Sequence, residues 1–551
     1  MIRLLSLLWF IFCLFAFNFL CAQTQQTFLF YDFQSSAEKP IFEKKIESGK
    51  WQSTLDSLVK IGYYTLQLDS VIDQKVYLKR GKLYQNIWVK NNELFQNKND
   101  YFPTKNLDSI IAYFNQKEVD EGRIFSSIVV ESKGFENNEL QVELHRKQAK
   151  KRTIDGVKLV GYEKMSRGFI KHQLQIRVGE TFREDKLITI QNEIRQNQWI
   201  RETRSPNVMY QEDSTYIYLY TEKIKANIFD GIIGFGTDED GKFRMNGNLS
   251  LELNNNFNAM EQIRLNWIGT AAKNTTLDIR LKFPYLFGSK IGSETNFKLF
   301  KQDSVFVNTN LQERFFYQLT PQSNIGVNLG IQSSNFVLEE YPTIATNYDD
   351  YQKLNLGLSY DYFQGTDQAI LEGKQRLYTV VNSIRKKEKN LVHDDQAENQ
   401  TSNQYEIGLE TYRLFRLGKK HYLKGRFNFY GLFDKANHFA ENELYRIGGF
   451  GSLRGFNEES ITANLYATVS AEYRFLPNEA FYIALFSDYA SIQNKRINVQ
   501  TNLMSLGTGI AFLTKLGVFN INYAVGKTGN LPFDFKDSKI HFGIILSLIH
   551  I

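Results

Sequence analysis

Cysteine is almost absent from this chain of 551 residues. It has two, Cys13 and Cys21, and both fall in the apolar N-terminal stretch. The rest of the chain therefore has neither disulfides nor thiolate metal sites. Histidine is sparse as well. The seven (His145, His172, His393, His421, His438, His541 and His550) are scattered, and none forms a metal spacing such as H-E-x-x-H. No catalytic residue, metal site or cofactor site is expected. There is no dominant charge of one sign: the net charge is +6 and falls to +5 once Arg3 is removed with the N-terminal stretch. So mild a surplus on a long chain does not suggest nucleic acid. Beyond that first stretch no segment approaches a transmembrane helix, and prolines number only 8.

Tyr, Phe and Asn are abundant instead, arranged in short alternating patterns. The N-terminus reads as a secretory signal over residues 1–22. Arg3 is its charged end, Leu4 to Leu20 its apolar run, and Ala22 the residue before cleavage. The run is at the short end of what crosses a bilayer. Cys21 is the weaker basis for a lipid anchor, because Asn18-Phe19-Leu20 lacks a small residue just before it.

Residues 23–225 alternate helical and strand patterns in a loose repeat, giving modules at 23–81, 82–150 and 151–225. In the first, a helix from Trp51 to Lys60 leads to strands at Gly62–Leu66 and Val76–Leu78. In the second, a helix from Leu107 to Phe114 leads to strands at Gly122–Ile128 and Leu140–Leu144. The third opens at Ile154-Asp155-Gly156-Val157, has helical residues from Phe182 to Asn197, and ends on strands near Trp199 and Tyr216–Tyr220. These units resemble POTRA modules, built as a strand, two helices and two strands.

From residue 226 to 551 the period changes to two. Thr275 to Phe283 puts Leu277, Ile279, Leu281 and Phe283 on one face and Asp278, Arg280 and Lys282 on the other. Sixteen such segments can be counted, the first near 227–236 and the last near 539–551. A soluble sandwich would alternate in the same way, so the links must decide. Those after even-numbered segments are mostly tight, such as Thr320-Pro321-Gln322-Ser323. Several after odd-numbered ones are long and polar, such as 386–403 and 435–463. Short turns on one side and long loops on the other form the pattern of an outer-membrane barrel. The exception is 364–374, a longish link on the short side. The expected fold is α+β modules followed by a sixteen-stranded antiparallel transmembrane β-barrel.

The long loop 435–463 carries Leu453-Arg454-Gly455-Phe456 within a glycine-rich stretch. A phosphate cradle is excluded, because no Lys-Ser/Thr follows and strands flank it on both sides. The next strand carries Ser470-Ala471-Glu472-Tyr473-Arg474-Phe475, and the one after it Phe486-Ser487-Asp488-Tyr489. In this order the three elements resemble the BamA/TamA superfamily, whose (V/L)RG(F/Y) loop folds back into its own barrel. The resemblance implies that Arg454 enters the lumen and pairs with the acidic wall residues Glu472 and Asp488. Parity places Glu472 inward with Tyr466, Thr468, Ser470 and Arg474, while Asp488 shares its face with Tyr482, Ala484 and Phe486. A guanidinium suits the role because its planar fork can engage a carboxylate bidentately.

The resemblance also implies a lateral gate between the first and last strands. Gly231, Gly234 and Gly236 either loosen the first or relieve crowding at the lumen, and Gly543 lies in the last, whose apolar face is Ile540, Phe542, Ile544, Leu546 and Leu548. The function implied is insertion or translocation of proteins at the cell outer membrane by strand addition at the seam, without a cofactor, the modules lying in the periplasm. Implied partners are unfolded outer-membrane or secreted polypeptides, outer-membrane lipid, and periplasmic chaperones or accessory subunits. A two-partner secretion pore, exporting one polypeptide through the lumen, is the nearest alternative; a passive porin or receptor barrel is the next. No segment is left over for an enzyme domain.

Overall fold

The computed structural model describes residues 25–32, 42–47, 52–72, 75–84, 86–90, 101–136, 139–237, 243–269, 274–302, 305–336, 350–366, 368, 370–389, 400–435, 438–514 and 517–545. The signal segment and residues 546–551 of the expected last strand lie outside them. The chain forms two compact units, residues 1–153 with 181–183, and residues 154–180 with 184–551.

Among the described residues, the first unit holds two four-stranded sheets, each with one helix. Strands β1 (Gln25–Asp32), β2 (Phe42–Glu47), β3 (Gln67–Ile72) and β4 (Lys75–Lys79) follow the order β2-β1-β4-β3, and helix α1 (Gln52–Ile61) precedes β3. Leu55 of α1 packs on Phe30, Val76 and Leu78. Strands β5 (Ile87–Lys90), β6 (Tyr101–Thr104), β7 (Ser127–Glu136) and β8 (Glu139–Lys147) repeat the order as β6-β5-β8-β7. Helix α2 (Leu107–Asp120) lays Leu107 and Phe114, seven residues apart on one face, against Ile128, Val142 and Leu144. In both sheets a second strand pairs with the first before the helix arrives.

The segments 62–66 and 122–126, read as strand from their residue types, are turns. Gly62 and Gly122 have φ of +126° and +82°, and their N–H groups donate to the helix carbonyls of Val59 and Val119. Each is a left-handed glycine closing a helix C-terminus, so the strand starts only after it.

Glu118 is a buried acid on α2. Its carboxylate accepts from Arg123 Nε at 2.5 Å, and Arg146 lies 3.4 Å away. The Arg123 hydrogen bond holds its carboxyl below the usual value of 4.5. A lowered carboxyl stabilises the fold above its unfolded value, and that contribution is lost as pH falls through the folded one. Glu118→Gln is therefore expected to lower the unfolding free energy of this unit by about 1.5–3 kcal/mol at neutral pH. The loss should vanish only in stronger acid, once the pH lies below the folded value, which is itself below 4.5; an equal loss there and at neutral pH would refute the pairing.

In the second unit, β9 (Gly156–Gly161), α3 (Asp185–Arg195), β10 (Ile200–Tyr210) and β11 (Thr215–Lys223) make a three-stranded sheet of order β10-β11-β9. The strands that follow are β12 (Ile228–Thr237), β13 (Phe243–Asn254), β14 (Gln262–Gly269), β15 (Asn274–Phe283), β16 (Ile291–Gln302) and β17 (Phe306–Thr320). Next come β18 (Ser323–Phe336), β19 (Asp350–Gln364), β20 (Gln375–Lys389), β21 (Gln400–Arg416) and β22 (His421–Asp434). After a loop hairpin of β23 (Tyr445–Ile447) and β24 (Ile461–Ala463) come β25 (Leu465–Asn478), β26 (Phe481–Asn494), β27 (Val499–Thr514), β28 (Gly517–Thr528) and β29 (Lys539–Ile545). All but the hairpin form one antiparallel sheet of sixteen strands in sequence order, β12 to β29. No ladder joins β12 to β29 among the described residues.

Burial in this sheet is inverted relative to a soluble protein. On β19, Leu354, Leu356 and Leu358 are 57–60% exposed, while Lys353, Asn355 and Ser359 of the alternate positions are 4–7% exposed. A sandwich would bury the leucines. A sheet curled round a polar interior, with its outer face against hydrocarbon, produces this alternation.

The α/β module of this unit sits on the rim formed by the links after the second, fourth and sixth sheet strands. Asn255 Nδ2 donates to Tyr162 Oη at 3.0 Å, Lys223 Nζ to Asn258 Oδ1 at 2.9 Å, and Tyr285 Oη to Gln173 Oε1 at 3.1 Å. Glu193 of α3 accepts from Gln173 at 2.8 Å and from Gln322 at 2.6 Å, and burial pushes its carboxyl up despite both amides.

Candidate functional site: a loop pinned inside the barrel

The loop between β22 and β25 folds inward. β23 and β24 pair over three residues, and the tip turns through Gly448 and Gly449, with φ of +117° and +89°. Ser452 fixes that turn: its Oγ accepts from Gly448 N at 2.8 Å and donates to Gly448 O at 3.0 Å. Leu453 is fully buried among Ile447, Ala463, Ala490, Ile492 and Leu503. This apolar pin sets the next residue, Arg454, against the barrel wall.

Arg454 is 6% exposed and uses its whole guanidinium. Nε and Nη2 donate to the two oxygens of Asp488 at 2.8 and 2.7 Å, and Nη1 donates to Glu472 at 2.6 Å. Nη2 also reaches Ser470 Oγ at 3.0 Å, and the ring of Phe486 lies 3.4 Å under the guanidinium carbon. The register places Ser470 opposite Asp488 and Glu472 opposite Phe486, so β25 and β26 present these groups side by side. Asp488 does face the lumen, although its neighbours on that face are mostly apolar.

The charges continue past the motif. Glu472 also accepts from Arg474 Nε at 2.6 Å, Arg474 reaches Glu372 at 3.5 Å, and Glu372 pairs with Lys424. Asp488, Arg454, Glu472, Arg474, Glu372 and Lys424 thus alternate in sign and balance. A buried charge with a full set of partners is tolerated; one left alone is costly.

The same loop holds the last sheet strand. Gly455 N donates to His541 Nε2 at 2.9 Å, and the ring of Phe450 covers Gly543 so closely that a Cβ there would meet it at 2.4 Å. Gly455 has φ of +84°, and a Cβ on it would lie 2.9 Å from Gly526 N, so the backbone passes hard against β28.

The Omp85 superfamily domain matches residues 235–545, more than half of the chain. The chain belongs to the Omp85 superfamily. Barrels of this superfamily sit in the outer membrane. Similar solved structures include BamA from Haemophilus ducreyi lacking POTRA domains 1–3, 13% identical, covering 83% of this chain and 98% of that one at a TM-score of 0.48. CdiB from Acinetobacter baumannii is 16% identical over 82% of this chain and 83% of its own, and CdiB from Escherichia coli 11% over 89% and 94%, each at 0.48. No curated protein matches the chain.

In this Omp85 barrel the residues read from sequence fall in two places. Leu453, Arg454, Gly455, Glu472 and Asp488 come together, with Phe456 packed beside the Leu453 cluster. Gly231, Gly234 and Gly236 lie on β12 opposite Leu249, Asn246 and Arg244, away from the motif. Gly543 lies on β29 opposite Asn520 and serves the loop by making room for Phe450.

Sequence reasoning missed Glu372, Lys424, His541 and a second anchor of the loop. Glu443 is buried between Lys353 at 3.0 Å and Lys386 at 2.8 Å, and Asn442 O accepts from Tyr351 at 3.1 Å and Asn308 at 2.9 Å. The lysines sit on inward positions of β19 and β20, and inward lysine in a polar lumen is unremarkable until an acid from a loop arrives. Arg474 did carry a signal, sharing the parity of Glu472.

Proposed function

We propose that this Omp85 chain inserts or assembles polypeptides at the outer membrane by strand addition at the seam between β12 and β29, without a cofactor or a catalytic centre. The observation that carries this reading is the seam itself. Both strands end the sheet, no ladder joins them among the described residues, and β29 is held from within by the pinned loop. An unpaired strand edge is a template for another strand. The three N-terminal modules, at 23–81, 82–150 and 151–225, act as POTRA domains in the periplasm and hold extended segments on edge strands such as β7. Their partners are unfolded outer-membrane or secreted polypeptides, delivered by chaperones or accessory subunits.

The test is assembly of a urea-denatured small outer-membrane barrel into proteoliposomes, read by heat-modifiable mobility. The full chain should accelerate it; no acceleration over empty vesicles with any client barrel tried would reject the reading. Removing residues 151–225 should abolish acceleration while the barrel still inserts, because the rim contacts of Tyr162, Gln173 and Glu193 go with them. A fully active deletion would contradict the assigned role of the module.

A polar cavity of about 410 Å³ inside the barrel, lined by Asp278, Arg280, Glu294, Arg314 and Arg376 among others, favours one second reading. In that reading a polypeptide is exported through the lumen.

A further inference from the structure

The link between β19 and β20, residues 365–374, is the one that breaks the short-turn pattern, and it does not stay on its own side of the barrel. It leaves the eighth sheet strand and returns to the ninth, yet its apolar residues pack on the eleventh to the fifteenth. Ile370 is 1% and Leu371 6% exposed. They share a buried cluster with Tyr422 of β22, Leu476 of β25, Tyr482 and Ala484 of β26, Ala511 of β27 and Val518 of β28. All six lie near the short turns of their strands. The link therefore reaches across the short-turn mouth to the facing wall.

Hydrogen bonds hold the described residues of the link. Leu371 N donates to Gln368 O at 3.1 Å and Lys374 N to Gln364 O at 2.8 Å, while Lys374 O accepts from Leu414 N at 2.8 Å. Gly373, with φ of +147°, turns the chain back where a Cβ would lie 2.8 Å from Tyr412 Oη. Next to the apolar residues, Glu372 enters the alternating charge chain that runs through Arg474 and Glu472 to Arg454. A compact apolar cluster is out of place in a water-filled polar lumen. It is what a closure needs, since ions and polar chains do not cross packed hydrocarbon.

We propose that residues 370–374 are a fixed floor of the barrel, closing the lumen on the short-turn side and staying in place while the protein works. With the pinned loop above, the lumen is then blocked twice, and the working route is the seam. This rests on the seam reading but is tested apart from it.

Leu371→Ser and Ile370→Ser/Leu371→Ser leave Glu372 and the chain length unchanged. In planar bilayers each is expected to raise the open conductance several-fold over the wild-type protein, with heat-modifiable mobility confirming that the barrel has folded. Wild-type conductance in a folded double variant would overturn the floor. The complementary variant locks it: Leu371→Cys combined in turn with cysteine at 476, 511 or 518. A link formed at any of these should leave assembly of the denatured barrel into proteoliposomes at the wild-type rate. Loss of that activity, restored by reductant, would mean that the floor moves in each cycle and would overturn the proposal. Failure of the seam reading shows elsewhere, as full activity with the seam itself cross-linked, so the two cannot be confused.

Discussion

Replacing Arg454 with alanine is expected to produce the largest loss of stability of any single substitution in the barrel. Arg454 makes five hydrogen bonds to Asp488, Glu472 and Ser470, four from its guanidinium and one from its backbone N–H. Glu472 keeps Arg474, but Asp488, 1% exposed, loses its guanidinium partner and keeps two neutral donors, the Ser470 hydroxyl at 2.6 Å and the backbone N–H of residue 454 at 3.2 Å. Removing one partner of a buried pair costs about 3–5 kcal/mol, because the other charge stays buried alone. That is a large part of the ~5–15 kcal/mol that typically separates a folded domain from its unfolded state. The measurable outcome is a lower urea midpoint, loss of the heat-modifiable form at a lower temperature, and protease cleavage within 435–463. Arg454→Lys should fall between, since an ammonium cannot fork to both acids and stack on Phe486. Adding Asp488→Asn to Arg454→Ala should recover part of the stability without the function. An Arg454→Ala protein with wild-type activity and a protected loop would end the assignment of this residue as the anchor.

Locking the seam is expected to have the largest effect on activity. Cysteines introduced in pairs, one at Phe229, Gly231 or Gly234 and the other at Ile540 or Phe542, should cross-link wherever the two edges approach. If an incoming strand pairs with an open edge, the cross-linked protein should be inactive, and reduction should restore it. Undiminished activity with a proven cross-link would reject lateral opening and favour export through the lumen. Background is low, because Cys13 and Cys21 are the only native cysteines and lie in the expected signal segment.

The two predictions concern one device. The loop motif is fastened to β25 and β26 through Arg454, and through Gly455 and Phe450 it grips β29 at His541 and Gly543. Loosening the first attachment should loosen the second, so Arg454→Ala is expected to change seam cross-linking yields as well as stability.

The sequence by itself determined the sixteen strands and the inside of each, because a period of two is a local property that survives into the fold. Leu354 and Lys353 differ by one position and must face opposite ways. It also carried the motif loop, since Arg454, Glu472 and Asp488 sit in recognisable surroundings along the chain. The limits of the first modules' strands were less legible: Gly62 and Gly122 are read as strand by their neighbours but close helices, and that depends on the hydrogen bonds each N–H finds. Only the tertiary structure decided what meets across the lumen. Glu443 finds Lys353 and Lys386, Ile370 and Leu371 find the far wall, and Gly543 receives Phe450. In each case the partners come from segments dozens of residues apart. Nothing local in Gly543 or Glu372 reports its contact; curling of the sheet brings distant inward faces within reach, and pairing then fixes which of them touch.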